Sequence, residues 1–333
     1  MFLIRQAGPA DFPGVFALAK LLDSYNLPAD RGYIRELLEA SQASFAGRSP
    51  RVAGRYLFVL EEGRRIVGCS LIIAKHGRRG KPHLWLSLEK VAKRSRTLGL
   101  ARAHQVLRLG YTEDGPTEVG GLVVMPGYRR HPEACGLQIS FVRFLYMGIH
   151  PDRFERRILV EYRGAMGAGN RSIFWEAMGR IFTGLPYSKA DRLSVTNKEF
   201  ILSLFPREPI YCALLPEPVQ RAIGAIHPAA QRAADLLRSI GFRPLPQIEP
   251  FDGGPYFSAE RGRIRLIRRI RRLTVAAASS AASSSYLVGT EAGGLFRAAR
   301  IPGKLRGGRL TVSGEALRLL RISEGASVYA CPV

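Results

Sequence analysis

The stretch TEVGGLVVMPGYRRHPEACGLQISFVRFLYMGIH, residues 117–150, decides the fold. Its first part is strongly apolar through Val119, Leu122, Val123 and Val124, and it reads as a strand ending at Pro126. GLQISFVRFLYMGIH, residues 136–150, then reads as a helix. Between them lies the turn GYRRHPEACG, residues 127–136, carrying Arg129, Arg130 and Gly136. Its bland reading is an ordinary solvated basic turn. Neither G-x-x-x-x-G-K-[ST] nor G-x-G-x-x-G after a strand occurs, so the common nucleotide fingerprints are absent.

Working outward, FLIRQA near the start reads as a short strand, and Asp11 and Pro13 mark the start of a helix, FPGVFALAKLLDSY. ADRGYIRELLEASQASF is a second helix with Leu37, Leu38 and Phe45 on its inner face. RYLFVLEEGRRIVGCSLIIAKHG reads as two strands joined at Glu62-Gly63. Residues 84–110 are basic and harder to read. After the helix of residues 136–150, RRILVEYRG is a strand and SIFWEAMGRIF a short helix. The order β-α-α-β-β-β-α-β-α implies a mixed sheet covered by helices.

The later chain divides by composition. We expect a first lobe over residues 1–205, a second over 206–272, an Ala/Ser linker over 273–285 and a small β-rich unit with one short helix over 286–333. The linker rests on TVAAASSAASSSY, which lacks core-forming residues.

Hydrophobic residues make up 46% of the 333 positions, enough for proper cores. No uninterrupted apolar run approaches the roughly 20 residues that span a bilayer. The N-terminal residues lack a basic segment before an apolar core, so no signal peptide is expected, and the location expected is cytoplasmic. Cys69, Cys135, Cys212 and Cys331 are scattered, without CxxC or zinc spacing, and read as free, buried thiols; no metal is expected. Fifty Lys and Arg against 27 acids give a net charge of +23, a field that attracts polyanions. A solvated basic surface and the steering of an anionic co-substrate are the favoured explanations. Nucleic-acid binding is disfavoured, because the bases lack interleaved exposed aromatics.

His227, in AIHPAAQ, stands before Pro228 at a helix start, and imidazole titrates near neutrality, which suits proton transfer. A capping or core histidine is the bland alternative. The remaining histidines, His76, His83, His104, His131 and His150, lie in basic loops or near helix ends and are expected at the surface. EPFDGGPYF, residues 249–257, sets Asp252 beside two glycines. Such a pair marks a backbone that turns tightly or is closely approached.

The element order resembles that of the acyl-CoA N-acyltransferase (GNAT) superfamily. In that fold the central strand offers backbone N–H groups to a thioester carbonyl, and the turn after it receives the CoA pyrophosphate. A sharper resemblance is to the arginine N-succinyltransferases of bacterial arginine breakdown. It is carried by VEYRG (160–164), FWEAMGRIF (174–182), YSKAD (187–191), PIYCALLPEPVQRAIGAIHP (209–228) and GFRPLPQIEPFDGGPYFSAERGRIRLIRRIRR (241–272).

That resemblance implies an α/β, GNAT-like mixed sheet covered by helices, with a second lobe and a small C-terminal β-rich unit. It implies transfer of a succinyl group from succinyl-CoA to the α-amine of arginine, with no permanently bound cofactor and no metal. It places the family's proton-donating histidine at His227 and its succinyl-CoA backbone contact at Leu122. Val124, Arg129, Arg130 and Gly136 complete the expected donor side; Glu161 and Asp252 are the expected acceptor side. A homodimer or a paired homologous subunit fits the family. LLDSYNLPAD, residues 21–30, departs from the family's glycine-rich run, in a region that often shapes the acceptor pocket. Transfer to a different amine or from a different acyl-CoA, and a non-catalytic basic binding protein on the same scaffold, are the alternatives.

Overall fold

The computed structural model describes residues 1–22, 26–195, 197–277 and 284–333, the side chain of residue 170 excepted. The strands are β1 (Leu3–Gln6), β2 (Arg55–Glu62), β3 (Arg65–Ile73), β4 (His83–Ser95), β5 (Leu100–Thr112), β6 (Thr117–Val124), β7 (Arg157–Glu161), β8 (Ile210–Tyr211), β9 (Arg243–Ile248), β10 (Pro255–Glu260), β11 (Arg271–Ala277), β12 (Ser284–Thr290), β13 (Arg297–Arg306), β14 (Arg309–Val312) and β15 (Ser327–Pro332). The longest helices are α1 (Phe12–Leu22), α2 (Arg31–Phe45) and α3 (Cys135–Ile149).

The chain forms two compact units, and each is discontinuous. The first is Met1–Lys75, Thr117–Ile158 and Glu260–Val333; the second is His76–Pro116 and Leu159–Ala259. The bound expected at residue 205 falls inside the second unit, while the C-terminal residues from 273 on stay together within the first. Composition follows the order of the chain, whereas strand pairing brings distant segments into one unit.

In the first unit the strands run in the order β12-β15-β11-β14-β13-β1-β2-β3-β6. Pairing is antiparallel apart from β11 with β14, so the sheet is mixed, as expected. α1 and α2 seal one side through Val15, Leu18, Ile34, Leu37 and Leu38, packed with Leu57, Val59 and Leu71 of the strands. α2 starts where Asp30 accepts the N–H of Tyr33 at 2.8 Å, an N-cap. α3 is buried along nearly its whole length and around its circumference, since it packs against β2, β3 and β6 and also against β12 and β15. Gly148 and Gly289 let neighbours close in on it: a Cβ on the first would collide with Ile270 Cδ1, and one on the second would lie 2.9 Å from Leu145 Cδ2.

β12 pairs with both β13 and β15, so β11 to β15 form a closed five-stranded ring around their own apolar core. This is the C-terminal β-rich part. The stretch expected as a linker, residues 273–285, falls mostly into β11 and β12; its central residues, 278–283, lie outside the described residues.

In the second unit β10, β9, β4, β5 and β8 follow the end of β7. Residues 84–110, illegible in the sequence, are the β4–β5 hairpin, paired over thirteen rungs from His83↔Thr112 to Ser95↔Leu100. Its core gathers Leu84, Leu86, Leu107, Phe174, Trp175, Ile248 and Phe251. Among the described residues no helix is long and apolar enough to cross a membrane. All four cysteines are free and buried.

Candidate active site

In the first unit the site begins with an interruption of the β3–β6 ladder. Val123 pairs with Cys69 and Gly120 with Leu71, so Gly121 and Leu122 together oppose the single residue Ser70. Gly121 sits at φ 55°, the left-handed geometry of a β-bulge, where glycine carries no Cβ penalty. The bulge takes Leu122, half-buried, out of regular register and frees main-chain groups of this strand from the ladder.

α3 is locked to this point from behind. The buried Arg143 guanidinium donates to Ser140 Oγ at 2.7 Å, to the Ser140 carbonyl at 2.9 Å and to the Gly120 carbonyl at 3.5 Å. Ser70 Oγ donates to the Ile139 carbonyl at 2.6 Å. Asn26, in the segment that departs from the resembled family, donates to the buried Glu118 on β6 at 2.5 Å.

Val124 is buried at the strand end, and its carbonyl accepts from Arg129 Nε at 3.1 Å. Arg129 thus organises the turn; Arg130 beside it is exposed. Ala134, the residue before α3, has a left-handed conformation (φ 53°) and supplies no side-chain cap. Gly136 lies in the first turn, and a Cβ there would meet nothing within 4 Å. A long helix thus opens on uncapped N–H groups, with open space and two arginines near it, and it is equipped for a phosphate.

The second unit holds the other cluster. The loop after β9 is built by two carboxylates. Glu249 Oε2 accepts the N–H groups of Phe251 at 2.6 Å and Asp252 at 2.9 Å, and Asp252 Oδ1 accepts that of Gly254 at 2.8 Å. Gly253 has φ 72° and lies against the Phe174 ring. A Cβ on Gly254 would collide with the Tyr162 carbonyl, and one on Gly164 with the Asp252 carbonyl. What approaches the paired glycines is therefore the protein's own strand end, residues 162–164. Underneath, Phe251 stacks on Trp175 with centroids 4.9 Å apart, and Ser172 Oγ donates to the Phe251 carbonyl at 2.8 Å. The FWEAM and FDGGP motifs are two sides of one contact.

His227 joins the same cluster through its main chain. Its N–H donates to the Arg163 carbonyl at 2.8 Å, and Gly224 donates to the Gly253 carbonyl at 2.9 Å. The half-buried His227 ring accepts the Ala229 N–H at Nδ1, 3.2 Å. In the neutral ring this puts the proton on Nε2, which faces away from the cap as a donor.

Burial pushes the Asp252 carboxyl up; the N–H groups of Gly164 and Gly254 and the positive charges of Arg163 and His227 oppose it. Burial also drives Glu249 well above the carboxylate range, and the charges of Glu161 and Asp252 add to that. Glu161 is half-buried at the end of β7. His227, Glu161 and Asp252 are thus members of one cluster, together with Glu249 and Arg163, which sequence reasoning missed. Glu249 stands first in the EPFDGGPYF stretch; its signal was an acid three residues before Asp252.

His76 and His83, expected at the surface, are buried, with ring centroids 4.6 Å apart. The β4–β5 hairpin places His83 inside, against Trp85 and Tyr256. Among the described residues no group of three or more His, Cys, Asp and Glu could hold a metal ion.

A bulged strand leading into an uncapped helix, with a histidine and carboxylates in a second cluster, is the equipment of an acyl-CoA N-acyltransferase. Comparison with known proteins makes the class specific. Residues 2–266 match the model of the arginine N-succinyltransferase beta subunit, and residues 271–332 match that of the same subunit's C-terminal domain. The chain belongs to the arginine N-succinyltransferase family.

Arginine N-succinyltransferase subunit beta of Pseudomonas aeruginosa is 30% identical, over 99% of this chain and 98% of its own length. Subunit alpha from the same organism is 34% identical over 98% of each. The solved structure of arginine/ornithine succinyltransferase subunit AI from Pseudomonas aeruginosa superposes with a TM-score of 0.87 at 32% identity, covering 100% of this chain and 98% of that one.

Proposed function

We propose that this protein transfers a succinyl group from succinyl-CoA to the α-amine of arginine. The observation that carries the reading is the extent of the likeness: it runs over the whole chain at a TM-score of 0.87 and so takes in both clusters. The chemistry fits. The free amine attacks the thioester carbonyl, forming the C–N bond; the nitrogen gives up one proton, the oxyanion collapses, the C–S bond breaks and the thiolate takes up one proton, leaving a neutral amide and thiol. The ammonium form of the amine loses one proton first.

On this reading main-chain N–H groups at Gly121–Leu122 receive the oxyanion, and the α3 N-terminus with Arg129, Arg130 and Gly136 holds the CoA phosphates. His227 handles the proton through Nε2. Asp252 and Glu161 hold the cationic end of the acceptor by carboxylate–guanidinium contact, on a loop that Glu249 shapes. The Pseudomonas protein of known structure is an arginine/ornithine succinyltransferase subunit, which makes ornithine the second acceptor to try. Relatives named as alpha and beta subunits support assembly with itself or with a homologous chain.

The test is thiol release from succinyl-CoA with a panel of amines. Release that depends on arginine, and that drops by about 10²-fold or more in His227→Ala, is expected. Release with no amine, or equal rates in the variant, would overturn the reading or the role of His227, respectively.

A further inference from the structure

The C-terminal ring of strands has an open end that the transferase reading does not use. A cavity of about 330 Å³ lies there. It is lined by Arg268, Arg269 and Arg271 and by Leu273, Tyr286, Leu305, Ala330 and Pro332. Strand pairing explains why these meet. Arg271 at the start of β11 pairs with Ala330 near the end of β15, and Tyr286 near the start of β12 pairs with Pro332. The lining thus comes from one end of four strands, the mouth of a small barrel, where ligands commonly bind, and its volume is at the small end of the usual range of about 300–1,000 Å³.

The charge there is unbalanced. Residues 261–333 contain fourteen Arg and Lys and only three acids, a net of +11 out of +23 for the chain. Arg268, Arg269 and Arg271 are exposed, and among the described residues none of the three has a carboxylate partner. Three guanidiniums crowded without an anion repel one another. Buried aliphatic groups and a tyrosine ring beside them offer an apolar floor. Arginine clusters suit phosphate, which accepts two N–H bonds from one guanidinium.

We propose that the mouth of the C-terminal barrel is a binding site for a small phosphorylated molecule. Its phosphates meet Arg268, Arg269 and Arg271, and its planar or apolar body rests on Tyr286 and Leu305. The proposal stands apart from the transferase reading.

Calorimetry on the full chain tests it, with ADP, pyrophosphate and adenosine as probes, and variants of the cavity lining separate this site from the donor side. ADP is expected to bind in the micromolar range, pyrophosphate more weakly and adenosine weakest. Arg268→Ser/Arg271→Ser should weaken ADP at least tenfold, and Tyr286→Leu should weaken ADP several-fold while leaving pyrophosphate unchanged. Arg309→Ser/Arg318→Ser removes the same charge from exposed positions outside the cavity and should change ADP less than twofold. Equal losses in the two double variants would mean attraction to the general field and overturn the proposal. Absence of ADP binding to the wild type would overturn it as well.

Discussion

Glu249 does two jobs that conflict. As a backbone acceptor it holds the loop carrying Asp252, which asks for negative charge; as a buried group beside Glu161 and Asp252 it is driven toward the protonated form. A carboxyl raised in the folded state binds its proton more tightly than in the unfolded chain. Stability is then full below the unfolded value near 4.5 and is lost as pH rises toward the folded one. Glu249→Gln keeps an oxygen for both N–H groups and removes the titration. Its thermal midpoint is expected to exceed that of wild type by about 2 °C at pH 8 and to match it at pH 4, measured by calorimetry. Because the loop carrying Asp252 keeps both hydrogen bonds, KM for arginine and KM for succinyl-CoA should both hold. A rise of about tenfold in the arginine KM alone would mean that Glu249 itself faces the acceptor as a carboxylate. The sequence pointed to this loop through its glycines and Asp252. Which acid organises it is set by main-chain hydrogen bonds, which no composition displays.

At the scale of elements, the strand–turn–helix of residues 117–150 was legible because its periodicity, its Pro126 and its basic turn all agree. The bulge inside β6 was not, since GG within an apolar run fits a regular strand equally well. The β4–β5 hairpin escaped for a different reason. From Lys90 to Gln105 most of its residues are exposed, so no apolar face alternates with a polar one; the strands are held by each other. The bulge permits a direct test. At Gly121 a Cβ would enter the left-handed region, costing about 1–2 kcal/mol, and would lie 3.1 Å from Leu71 Cβ. Gly121→Ala is expected to lower stability by that amount and to cut thiol release more than tenfold under conditions where it stays folded. Gly127→Ala, in the turn that follows but with ordinary φ and open space, should change neither. Equal rates in Gly121→Ala and wild type would separate the bulge from catalysis.

For the molecule as a whole, a charge of +23 and a buried histidine both weaken the fold in acid, and they can be told apart. Neither the discontinuous units nor the interior position of His83 was legible, because both depend on pairing between distant segments. Burial lowers His83 well below the ordinary 6.5, and the charges of His76 and Lys198 add to the effect; its Nδ1 finds no hydrogen-bond partner among the described residues. The ring is therefore neutral in the fold, whereas the unfolded chain takes up a proton from about pH 6.5 downward. Stability from this source is full above 6.5 and is lost as pH falls, by up to about 1.4 kcal/mol per pH unit. Self-repulsion of the surface charge also grows in acid, but salt screens it beyond about 8 Å at physiological ionic strength and does not reach a buried ring. His83→Phe keeps an aromatic among Trp85, Tyr256 and His76 and removes the proton. In denaturant titrations between pH 5 and 8 at high salt, the wild type should lose stability below pH 6.5 relative to His83→Phe, which keeps only the opposite slope set by Glu249 and Asp252. At low salt both should slope, the variant less steeply. Parallel slopes at high salt would place the acid sensitivity elsewhere in the molecule.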